Sequence, residues 1–175
     1  MDCKNLGINC EDENYMRAAL CEAQKAAGLD EVPVGAVIVR NGEIIARTHN
    51  LVEMNKSSGA HAEMLAIRAA EKALNAKWLM GCTLYVTLEP CFMCAGSMVL
   101  ARMDRLVIGA MDPKNGACGS LCKVVCDERL NHQMEVTTGV LGEECGELLR
   151  TFFRSKRQDK DALKRKRLEQ LEEED

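Results

Sequence analysis

The chain has 175 residues, 47% of them hydrophobic and 29% charged, with ten cysteines and a formal net charge of -4. That length is one domain's worth and buries enough surface to fold without cross-links, which excludes the disulfide scaffold of a small secreted module. No apolar run reaches the roughly 18 to 20 residues of a membrane span, and MDCKNLGINCEDEN lacks the apolar core of a secretion signal, so a reducing cytoplasm is the expected compartment.

Residues 12 to 27, DENYMRAALCEAQKAA, set Tyr15, Ala19, Leu20 and Ala23 at three- and four-residue spacings, which predicts a surface-packed helix stopping at Gly28. VPVGAVIVR and EIIARTHN flank Asn41-Gly42, a dipeptide that favours the tight turn of a β-hairpin. A helix is expected from about Ala60 to Asn75. TLYVTLEP, rich in β-branched and aromatic residues, reads as a strand. Pro90 ends it and is expected in the first turn of the helix CFMCAGSMVLAR, where its missing N–H costs nothing. RLVIGA and MEVTTGVL read as two more strands. A last helix is expected from Gly142 or Glu143, with Leu148, Leu149, Phe152 and Phe153 on or near its packed face. Strands alternating with helices predict an α/β layered domain in which helices cover a sheet of about five strands, with the strand order left open.

No internal repeat or Pro/Gly-rich linker divides the chain. The expected partition is one domain over residues 1–158 and a charged tail over 159–175, either a helix extension or disordered. Residues 154 to 167, RSKRQDKDALKRKR, hold eight Lys or Arg against two Asp, and LEQLEEED after them carries five acids. The net negative charge argues weakly against a nucleic-acid partner, but this basic stretch fits either a phosphate-binding surface or a solvated helix balanced by salt bridges.

The chemistry concentrates in two short stretches. Cys91 and Cys94 stand at i, i+3, which puts both sulfurs on one face of a helix start, where exposed N–H groups favour thiolates. Taken alone, the pair also fits a redox motif or half of a four-ligand structural zinc site. His61 lies at another predicted helix start and Glu63 follows two residues later. One imidazole and two thiolates make a set suited to zinc with the fourth position left to water, the mark of a catalytic site. Such water ionises near pH 7 instead of about 16, and Glu63 is then the natural general base. Cys118, Cys122 and Cys126, at equal spacings of four, raise the weaker alternative of a second metal site.

His-Ala-Glu followed by Pro-Cys-x-x-Cys is the signature of the zinc-dependent nucleobase deaminases. Over nearly its whole length the sequence resembles the bacterial tRNA-specific adenosine deaminases: EVPVGAVIV (31–39), HN (49–50), AHAEMLAI (60–67), TLYVTLEPCFMCAGSM (83–98), MDPKNGACGSL (111–121), LNHQMEVTTGVL (130–141) and ECGELLRTFFRSKRQ (144–158). The HAE and PCxxC motifs are shared with cytidine and guanine deaminases. The LNH segment, the 111–121 loop and the Phe-Phe with trailing basic residues point to the tRNA branch.

The resemblance implies a three-layer α/β/α cytidine-deaminase-like fold and hydrolytic conversion of the wobble adenosine of an arginine tRNA anticodon to inosine. It implies one zinc ion per subunit held by His61, Cys91 and Cys94, Glu63 as proton shuttle, and a homodimer. Asn50 would contact the purine edge, Asp112 would lie near the ribose, and Phe153 would lie beside the anticodon nucleotides. Arg154 and Arg157, with Lys156, suit phosphates independently of the family, since a splayed base needs an aromatic wall and nearby cations. A deaminase of a free nucleobase or nucleoside is the alternative substrate class. One departure stands out: Ser57, Ser58 and Gly59 occupy the place of the Asp-Pro-Thr of many relatives, and Ser58 or Gly59 is expected to cap the following helix.

Overall fold

The structure, a computed structural model, describes residues 10–172, with side chains described through residue 164. Residues 1–9 of the segment read for a secretion signal, the last three acidic residues, and the side chains of Arg165, Lys166 and Arg167 lie outside the described residues.

Helix α1 (Cys10–Gly28) leads into the hairpin β1 (Gly35–Arg40) and β2 (Glu43–His49). Asn41 and Gly42 turn it at φ 52° and 79°, the left-handed pair that a two-residue hairpin loop requires. A short helix α2 (Val52–Asn55), which no sequence signal announces, precedes α3 (Ala62–Leu74). Then come β3 (Cys82–Leu88), α4 (Phe92–Leu100), β4 (Arg105–Ala110), β5 (Glu135–Thr138) and α5 (Gly142–Glu172). The last helix passes residue 158 without a break. Among the described residues, no helix is long and apolar enough to cross a membrane.

The five strands form one mixed sheet in the order β2-β1-β3-β4-β5. β1 is antiparallel to both β2 and β3, whereas β4 is parallel to both β3 and β5. Successive side chains of a strand point to opposite faces, and here both faces are dry. Ala36, Ile38, Leu84, Val86, Leu106 and Ile108 pack into the layer holding residues of α3 and α4. Val37, Val39, Tyr85 and Val107 pack with Met16 and Leu20 of α1 and Cys145 of α5. This is why VIV, LYV and LVI read as continuous apolar runs. Each fully buried Val, Leu or Ile side chain contributes about 1.5–3 kcal/mol.

The α1 layer is seated closely. A Cβ at Gly35 would stand 2.0 Å from the Ala19 carbonyl oxygen and 2.4 Å from the Ala23 nitrogen, so only glycine lets α1 approach β1. The same layer buries Asp12, which takes a two-pronged bond from Arg105 (2.8 and 2.9 Å) and one from the Tyr85 hydroxyl (2.9 Å).

Two helix starts differ from expectation. Pro90 is not in the first turn of α4: Cys91 is its N-cap, and the Pro90 carbonyl accepts a bond from the Ala117 N–H (2.8 Å). Likewise neither Ser58 nor Gly59 caps α3, because His61 does.

Candidate active site

The ends of β2, β3 and β4 and the start of β1 all open on one edge of the sheet, where open α/β sheets place their ligands. His61 and Cys91 occupy N-cap positions with extended backbones (ψ 149° and 175°), and neither makes a side-chain capping bond. A capping Ser, Thr, Asp or Asn is worth about 1 kcal/mol. At both starts that stabilisation is forgone and the side chain is turned toward the other helix instead.

The two side chains meet Cys94, on the first turn of α4. His61 Nδ1 lies 3.7 Å from Cys91 Sγ and 3.6 Å from Cys94 Sγ, and the sulfurs are 3.8 Å apart. Zinc bonds of about 2.3 Å to sulfur and about 2.05 Å to nitrogen, at tetrahedral angles, give edges of about 3.8 Å and about 3.6 Å. The triangle therefore has the size of one face of a tetrahedral zinc site. Among the described residues it is the only grouping of three such side chains close enough to share an ion.

The protons of the triad are coupled. Hydrogen bonds from Cys94 and His61 draw the Cys91 thiol down to about 3, and its bond to Cys91 raises the His61 imidazole. Cys94 moves the other way, through its bond to Cys91 and its burial. Glu63, in the first turn of α3, is 4% exposed, and burial pushes its carboxyl above the usual carboxylate range. A carboxyl raised in this way keeps its proton to higher pH than an exposed one, which suits a group that both takes up and gives back protons.

The triad opens on a cleft of about 1050 Å³. His61, Glu63 and Cys91 line its floor beside Asn50 and Asp112, while Phe153, Arg154 and Arg157 of α5 line its rim. Cys94 is buried behind the floor. The structure thus brings these sequence-predicted site residues into one region; Lys156 is the exception, absent from the lining and ion-paired with Asp30. Phe153 is 45% exposed, whereas its neighbour Phe152 is half-buried and meets it edge to face at 5.5 Å. Among the described residues, neither Arg154 nor Arg157 is held in an ion pair, in contrast to Arg150, which is bound by Glu143 and Glu147.

Two buried acids of the cleft wall escaped sequence reasoning. Glu31 accepts a bond from the Asn50 amide (3.0 Å) through one oxygen and from the Met54 N–H (2.7 Å) through the other. The Asn50 amide therefore presents its remaining donor and its carbonyl oxygen elsewhere. Glu89 gathers the loop that carries Asp112: it accepts bonds from the N–H groups of Asp112 (2.9 Å), Cys118 (3.0 Å) and Ser120 (2.9 Å) and from the Ser120 hydroxyl. The signal for both was a lone acid beside an apolar strand, in EVPVGAV and TLYVTLEP.

The alternative second metal site is not formed. The Cys118, Cys122 and Cys126 sulfurs lie against three different carbonyl oxygens, those of Pro90, Ala117 and Met134.

The profile of the MafB19-like deaminases matches residues 10–157. A Bacillus subtilis protein named tRNA-specific adenosine deaminase is 56% identical over 155 residues, 89% of this chain and 96% of that one. An Aquifex aeolicus protein of the same name is 47% identical, covering 83% and 95%. Among solved structures, one from work on A-to-I editing by tRNA:A34 deaminases at the wobble position of transfer RNA superposes with a TM-score of 0.75 at 43% identity, over 78% of this chain and 99% of that one.

Proposed function

The chain belongs to the tRNA-specific adenosine deaminases, and from that membership and the cleft's geometry we propose that it hydrolyses adenosine to inosine at the wobble position of a tRNA anticodon, releasing ammonia. The observation that carries the proposal is the sharing of one cleft by the His61–Cys91–Cys94 face, the buried Glu63, and an aromatic and cationic rim. One zinc ion per subunit, held by His61, Cys91 and Cys94, would lower the pKa of a bound water to about 7 and supply hydroxide at neutral pH.

The rest of the chemistry falls to the chain's own groups. Glu63 takes the proton of the attacking water, passes it to the purine ring nitrogen, and then delivers a proton to the departing amine. Asn50, aligned by Glu31, contacts the purine edge. Asp112 lies by the ribose. Phe153 gives the unstacked nucleotides a face, and Arg154 and Arg157 neutralise phosphates. The polypeptide acts as a homodimer in the cytoplasm: Phe92, Met93 and Leu100 leave one side of α4 apolar and exposed, which suits a second copy. An arginine tRNA is the expected substrate, and the charged stretch from residue 159 continues the last helix of the domain as far as Glu172.

The test is incubation of the zinc-loaded protein with an anticodon stem-loop RNA and, separately, with free adenosine, cytidine and guanine. Inosine in the hairpin supports the proposal. Ammonia from the small molecules alone overturns it in favour of a free-base or nucleoside deaminase.

A further inference from the structure

Glu89 is 3% exposed, and the partners of its carboxylate are three backbone N–H groups and one hydroxyl rather than a cation. Its oxygens divide the loop between them: one takes Asp112 and the Ser120 hydroxyl, the other takes Cys118 and the Ser120 N–H. The loop closes around it so tightly that a Cβ at Gly116 would stand 2.1 Å from Oε2 of Glu89 and 2.6 Å from the Asp112 carbonyl oxygen. From the other side Glu89 is fixed by the sheet, its N–H donating to the Ala110 carbonyl (2.8 Å). The Pro90 carbonyl then takes the Ala117 N–H, and the next residue is the N-cap Cys91. The turn that presents a metal ligand and the loop that presents Asp112 and Lys114 are thus fastened to each other through one buried side chain.

We propose that Glu89 is a positioning residue for the nucleic-acid substrate: its carboxylate locks the 111–120 loop to the Cys91 turn and sets the place of Asp112 and Lys114 over the metal-ligand face. The proposal rests on the functional reading above and adds to it the group that holds the sugar-phosphate side of the cleft in register with the reacting base. A carboxylate is required because four donors converge on it and it has only acceptors to offer. The amide of a glutamine keeps one acceptor oxygen, and its NH2 faces loop donors, so at least one backbone bond is lost.

The experiment compares the wild type with Glu89→Gln as zinc-loaded full chains, on the anticodon stem-loop. Misplacement of a substrate-holding loop by about an ångström costs up to about 100-fold in efficiency, so kcat/KM falls about 10- to 100-fold in Glu89→Gln, carried by KM. Zinc content stays at the wild-type value and kcat within about threefold, since the reacting groups are untouched. Amide hydrogen exchange at Asp112, Cys118 and Ser120 rises in the variant. Gly116→Ala attacks the same contact from the loop side and gives the same KM-weighted loss; it carries the test if Glu89→Gln does not fold. Ser120→Ala, which keeps the three backbone donors, has a smaller effect than either. An unchanged KM, or loss of zinc with collapse of kcat, overturns the proposal. If the wild type makes no inosine, the functional reading fails separately, and amide exchange alone then decides against Glu89 as the lock should the three amides stay protected.

Discussion

Replacing Glu63 by glutamine removes a proton acceptor while leaving volume and polarity nearly unchanged. Glu63 is 4% exposed and burial already disfavours its ionised form, so the neutral amide imposes no new desolvation cost and the melting temperature should stay at or slightly above the wild-type value. The rate is another matter. A general acid–base group contributes typically about 10²- to 10⁴-fold. At about 1.36 kcal/mol per tenfold, that is about 2.7 to 5.4 kcal/mol of barrier. Glu63 is assigned both the uptake of the water proton and its delivery to base and amine, which places the loss at the upper end. The assay is single-turnover inosine formation on saturating anticodon hairpin, with zinc content and thermal melting measured on the same sample. Retention of more than about a tenth of the wild-type rate would refute the assignment. So would loss of zinc alongside the rate, because Glu63 would then act through the metal ligands.

Arg154→Ala and Arg157→Ala should each weaken hairpin binding and reduce the salt dependence by about one phosphate contact, a log–log slope change of about 0.7 to 0.9; an unchanged slope would mean that these side chains only solvate α5. Gly35→Ala forces a methyl into the Ala19 carbonyl, and overpacking of this kind costs about 1–3 kcal/mol or more. At about 2–4 °C per kcal/mol for a chain of this size, the melting temperature drops by about 2–12 °C; an unshifted melt would contradict the close seating of α1. Burial raises the Glu22 carboxyl, but hydrogen bonds with Lys25 and His49 outweigh it, and the net shift is downward. A carboxylate lowered on folding adds stability above its unfolded value and loses it as pH falls through its folded value. Glu22→Gln should therefore be less stable than wild type at pH 7, with the gap closing as pH drops below about 4; a gap constant down to pH 3 would exclude the ionic contribution.

The elements bounded by strong local chemistry were legible in the sequence. Asn41-Gly42 marked its hairpin because few other dipeptides accept two positive φ angles, and the strand runs were unbroken because both faces of the sheet are covered. His61, Cys91 and Cys94 could be grouped before any geometry, since few residue types bind zinc and their spacings put each at a helix start. What stayed hidden depends on contacts distant in the chain. The bond from Arg105 to Asp12 crosses 93 positions. The carboxylate of Glu89 serves a loop 23 to 31 residues away. Strand order is set by such contacts and not by periodicity. The helix starts were misread by two or three residues for a related reason. Pro90 and Ser58 are favourable near helix starts by local propensity, but the cap positions themselves go to His61 and Cys91, whose side chains face each other.

X-ray absorption at the zinc edge, on protein assayed for metal content, tests the central claim most directly. The account predicts one zinc per chain with two sulfurs at about 2.3 Å and two lighter atoms at about 2.0–2.1 Å, one a histidine nitrogen and one a solvent oxygen. Three or four sulfurs, a shell filled entirely by protein, or a chain that retains no zinc would contradict it.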